Sequence, residues 1–259
     1  MPVAGGCRGG HPRSKLCDHL LVSDDLRRAL GGCAVAGPVL FTLAWLVAGS
    51  IQDVYSPRRE DISALAAVDA QHAWIMIAGI IALGLSLIAL ALGLLGVIHG
   101  GRSATVGPIL LVLAGVCFTG AGLARNDCSS ALQACEERVS SGDISWHHSV
   151  HDVLGIVVFL VLAVAPLVLA RAFKSDSRWI KLRRYSLLTG ALTLALLLVF
   201  GAEAFDGWNG LVQRVLILVP LVWIAVLGAH LVEIANTGRL LMPDEPSPRD
   251  QAAGDVTTE

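Results

Sequence analysis

Six blocks of mostly apolar residues, parted by short polar stretches, leave this chain few folds to choose from. They cover 29–51, 73–98, 104–124, 149–170, 185–202 and 211–232. A helix rises about 1.5 Å per residue, so about 20 apolar residues cross a hydrocarbon core about 30 Å thick, and each block approaches or exceeds that length. Barrel strands would be about half as long and would alternate polar with apolar, whereas 216–227 reads LILVPLVWIAVL without alternation. In lipid each backbone group must find its partner within its own segment, so the blocks are predicted to be helices. With 54% hydrophobic and only 15% charged residues among 259, a soluble fold would have nothing left to cover them. The expected fold is all-α: a polytopic membrane protein, a six-transmembrane-helix bundle over 29–235. Residues 1–28 and 236–259 are read as disordered cytoplasmic arms.

Basic residues set the expected orientation. If all six blocks cross, 14 of the 19 Lys and Arg residues fall on the side of the two chain ends. Arg58, Arg59, Arg125, Arg138 and Arg214 make up the remaining 5. The excess marks the cytoplasmic side, which puts both termini inside and the protein in a cell membrane. A net charge of −2, with no basic patch interleaved with aromatics, argues against a nucleic-acid partner. Membrane lipid is the expected partner. Two resemblances to export signals fail: the apolar run follows Cys33 instead of preceding it, and the run behind Arg27 and Arg28 is as long as a full span. Of the six cysteines only Cys128 and Cys135 share an outer loop, and seven residues apart they are placed to form a disulfide on the oxidising side.

Unusual polar residues gather in the loops and helix mouths of that outer side. Tyr55, Ser56, Ser63 and His72 lie between the first two blocks; Asp127, His147, His148, His151 and Asp152 lie between the third and fourth; Glu203 precedes Arg214 at the last. Residues four apart share a helix face, which pairs His147 with His151 and His148 with Asp152. The first pair has metal-ligand spacing, and with Asp127 it makes a candidate Zn²⁺ set. Polar residues and tryptophans such as Trp74, Trp146 and Trp208 also collect at helix mouths simply because the headgroup layer suits them. His151 and Asp152 go deeper, about a turn into an apolar run, where ionisable groups are costly and more often functional. Glu203 and Arg214 are candidates for a buried ion pair across the bundle.

Gly37-Pro38 in the first block, Tyr55-Ser56-Pro57 with Ile62-Ser63 and Trp74, Asp127, His147 with His151, and Gly210-Leu211-Val212-Gln213-Arg214 recur in a fixed order between the spans. In this the chain resembles, over about 30–235, the family known as domain of unknown function 998. The resemblance implies a six-helix bacterial inner-membrane protein with outward-facing polar residues and no settled activity. The positions that match it are Tyr55, Ser56, Ser63, Asp127, His147, His151 and Arg214.

Two functions follow from different chemistry. One is a binding, accessory or transport-type membrane protein whose outer cluster takes a lipid or small molecule from the outer leaflet. The other is a metal-dependent intramembrane hydrolase of a lipid or amide, with catalytic candidates Ser63, Asp127, His147, His151 and Arg214. There Zn²⁺ would activate a water while Ser63 or Arg214 steadied the oxyanion. The almost wholly apolar inner halves of the helices weaken transport of ions or polar solutes.

Overall fold

A computed structural model describes residues 23–241 apart from 96, 100, 130–132, 203, 204 and 206, and apart from the side chains of 238–241. Seven α-helices and one 3-10 turn make up the described residues, with no strand among them. The helices are α1 Asp24–Ile51, α2 Ala73–Leu94, α3 Arg102–Leu123, α4 Gln133–Ser141, α5 Trp146–Phe173, α6 Ile180–Gly201 and α7 Asn209–Leu241. All but α4 are long and apolar enough to cross a membrane, six spans in all.

Helix ends differ from the expected ones for local reasons. The first helix starts at Asp24, not 29, because Ser23 caps it by accepting a hydrogen bond from the Leu26 amide. Asp24 and Asp25 then lie in the first turn, where they favour the helix dipole and bond Arg27 and Arg28. The last helix runs to Leu241, past the expected 235. The fourth span opens at Trp146 rather than 149, since Ser145 caps it through the His148 amide. Helix α4, nine residues with a polar surface, carries no apolar periodicity and was not expected.

The spans close into a ring in which α1 packs on α2, α2 on α3, α3 on α5, α5 on α6, α6 on α7 and α7 back on α1. Small residues set the closest approaches. A Cβ on Gly84 of α2 would lie 2.7 Å from the Gly115 carbonyl oxygen of α3, and one on Gly31 of α1 would lie 2.7 Å from that of Gly228 of α7. Interiors are filled by Met76, Leu83, Leu87, Leu111, Leu162 and Trp223, all essentially inaccessible. Leucines and valines along α1, α5 and α6 face outward, as lipid requires.

The two ends of the bundle are built differently. At one end the loops 52–72, 124–145 and 202–208 come together with α4 and the 3-10 turn Ile62–Ala66, whose Ile62, Ala64, Leu65 and Ala66 are buried. This is the capped end. At the other, Trp179 is fully buried, stacked on Phe173 at 5.1 Å, while Arg178 holds Asp176 and the Val97 carbonyl. Burial pulls the Asp176 carboxyl upward, but the Arg178 hydrogen bonds outweigh it and hold it below the usual carboxylate range. His99 and His230 belong to this end, and His230 bonds the Arg178 carbonyl and Glu233.

A polar-mouthed cavity at the capped end

The loop 52–72 at the capped end has too many backbone groups to be buried without partners, and side chains from two helices supply them. Arg214, one turn into α7 and 4% exposed, donates to the carbonyls of Pro57, Glu60 and Gly210 at 2.7, 2.9 and 2.7 Å and to the Tyr55 hydroxyl. Its guanidinium also covers the rings of Trp45 and Tyr55. Burial pushes the Tyr55 phenol up to about 12, against the opposing pull of Arg214, so it stays neutral at ordinary pH. Gln213 accepts from the Ile62 amide at 2.6 Å. Gly210 makes this docking possible, because a Cβ there would meet the Pro57 oxygen and the Glu60 nitrogen, each at 2.8 Å. Three members of the Gly210-Leu211-Val212-Gln213-Arg214 run therefore act as one clamp.

A second clamp follows α3. Arg125 donates to the carbonyls of Ala66 and Ala67, and the Val68 amide bonds the Asn126 carbonyl. Buried Glu60 accepts from the Ser56 amide and the Ser129 hydroxyl, next to the bridge between Cys128 and Cys135, whose Cα atoms are 5.8 Å apart. Asp127 accepts from both the amide and the hydroxyl of Ser145 at 2.7 Å, and those bonds hold its carboxyl below the usual range.

The histidines cap a helix. His147 Nδ1 lies 2.6 Å from the Arg125 carbonyl, and His151 Nδ1 lies 2.9 and 2.8 Å from those of Ala121 and Ala124. These carbonyls belong to the end of α3 and the residues after it, where a helix leaves acceptors without internal partners. A carbonyl only accepts, so Nδ1 carries the proton in both rings. His148 takes the other tautomer: its Nδ1 accepts from the Asp127 amide at 3.1 Å, which leaves Nε2–H pointing to Asp152, 3.6 Å away.

In the candidate Zn²⁺ set His147 and His151 hold carbonyls through Nδ1 and Asp127 holds Ser145 through both oxygens, which leaves Nε2 as the ring atom open to another partner. Among the described residues no group of three or more His, Cys, Asp or Glu side chains is arranged to hold a metal. Glu203, and with it the expected ion pair to Arg214, lies outside the described residues. Among the described residues the hydrogen-bond partners of Arg214 are neutral oxygens.

Beneath the cap lies a cavity of about 460 Å³. Asp61, Ser63, Asn126, His148, His151, Asp152 and Gln213 give its lining polar groups, and Phe41, Ile80, Phe118, Val139, Val158, Phe159, Phe200 and Ile217 give it apolar ones. Of the residues named from sequence, Ser63, His148, His151 and Asp152 share this wall. Tyr55, Ser56, Asp127, His147 and Arg214 stand behind it as framework, and His72 is an exposed left-handed residue before α2, away from the cavity. Asn126 and Gln213 were missed as lining residues, although each adjoins a residue the sequence did single out. The cavity opens sideways along α5, where lining residue Ile156 is 61% exposed and a Cβ on Gly155 would meet nothing within 4 Å.

The chain belongs to the family described as Protein of unknown function (DUF998), whose model matches residues 35–230. It is a multi-pass membrane protein of that family. No curated protein and no solved structure matches the chain.

Proposed function

We propose that the protein binds an amphiphile from the outer leaflet, in the manner of a lipid-binding or accessory membrane protein, and that the capped end faces outside with both termini cytoplasmic. The observation that carries this reading is the cavity's polarity gradient. A polar mouth lies above an aromatic and aliphatic floor, and the open side along Gly155 and Ile156 would face acyl chains. A volume of about 460 Å³ is that of a small-molecule pocket, which suits one chain rather than a whole two-chain lipid. The location of the cavity at one end supports capture from one leaflet and gives no continuous polar path across. Hydrolysis through a metal has less behind it, because no group of three or more His, Cys, Asp or Glu side chains among the described residues is arranged to hold one.

Binding is tested with the full chain in phosphatidylcholine nanodiscs and a lysophosphatidylethanolamine carrying a fluorophore on its acyl chain. The wild type should raise the probe's anisotropy saturably. Gly155→Leu, which projects into open space and should leave the melting temperature unchanged, should weaken binding at least tenfold. Equal binding by the two proteins would overturn the reading.

A further inference from the structure

Resting on the amphiphile reading, we propose that the cavity selects a head group bearing an ammonium, so that its ligand is a single-chain cationic or amine-headed amphiphile. The polar groups at the mouth offer acceptors. His151 is 7% exposed and lines the cavity, and since its Nδ1 bonds the Ala121 and Ala124 carbonyls, Nε2 is the ring atom left for a further partner. Asn126 Oδ1 is buried with no hydrogen-bond partner, and Asn126 lines the same cavity. A buried acceptor left in this state carries a desolvation cost that a ligand donor would offset.

Charge points the same way. Asp152 lies on the lining, and no Lys or Arg is among the described lining residues. In the cap, Arg214 and Arg125 donate to carbonyls, and Arg138 lies 3.9 Å from Asp127 and 3.6 Å from Asp143. His148 Nε2 lies 3.6 Å from the Asp152 carboxylate at the mouth. An anionic head would face that carboxylate, and an alcohol would satisfy one acceptor. A primary ammonium brings three donors and a positive charge to a mouth of acceptors. Phe41, Phe118 and Phe159 continue the wall below it, where a saturated chain would lie.

The test is competition against the chain-labelled probe in nanodiscs by tetradecylamine, tetradecanol and myristate, each stated as a mole fraction in lipid after subtracting partition into empty discs. The amine should compete at least tenfold better than the alcohol, and myristate worst. Asp152→Asn, at a half-exposed position outside the packed interior, should cut the amine's advantage to threefold or less while leaving the alcohol's competition unchanged. Equal competition by amine and alcohol, or an amine preference that survives in Asp152→Asn, overturns the head-group assignment while the cavity reading stands. Loss of the Gly155-sensitive binding itself would overturn both.

Discussion

Arg214 shows how a single costly side chain can be structural and still sit beside function. An arginine held within an apolar bundle needs acceptors, and here its two terminal nitrogens find three backbone oxygens and a phenol among the described residues, while Nε stays buried without one. Arg214→Met keeps the length of the side chain but leaves those carbonyls unpaired. It should destabilise the folded protein by about 3 kcal/mol, read as a fall in the tryptophan-fluorescence melting temperature in detergent. Asp127 gives a prediction in pH. Its folded pKa lies below the ordinary 3.8, so the stability it adds is fully present above that value and is lost as pH falls through the folded pKa. The melting temperature of the wild type should therefore drop in this acidic window, with Asp127→Asn lower at neutral pH and flatter through it. A wild-type and mutant pair with parallel acid profiles would refute the assignment.

Among the elements, the spans were legible and the cap was not. Six hydrophobic runs are a signal that lipid imposes, because the solvent tolerates no other backbone solution. The pairing of His147 with His151 was equally visible, but one of its uses was not: the spacing that would serve a metal also places both rings against the end of a neighbouring helix. Nothing in 124–145 announces α4, whose stability comes from its surroundings and the Cys128–Cys135 bridge rather than from an apolar stripe. Whether a helix-mouth residue faces the cavity or the framework depends on rotations no single sequence reports. Replacing both Cys128 and Cys135 by Ser should cost about 2 kcal/mol, seen as a lower melting temperature that reducing agent no longer changes. Glycines divide in the same way. Gly84→Leu should split α2 from α3 and abolish monodisperse protein on size exclusion, whereas Gly155→Leu should not.

At the level of the whole molecule, the ring places α1 against α7, so the first span to leave the ribosome finishes its packing against the last. The Gly31–Gly228 approach leaves no room for a lipid chain between them. Synthesis must therefore carry a provisional five-helix intermediate with an exposed seam until residue 209 and beyond have entered the bilayer. The same late arrival brings Gln213 and Arg214, so the loop 52–72 is fastened only after α7 has entered. A chain cut short before the sixth span would thus be marked twice, by a gaping groove in the lipid and by an untied loop in the aqueous phase, and both are features that membrane proteases can read.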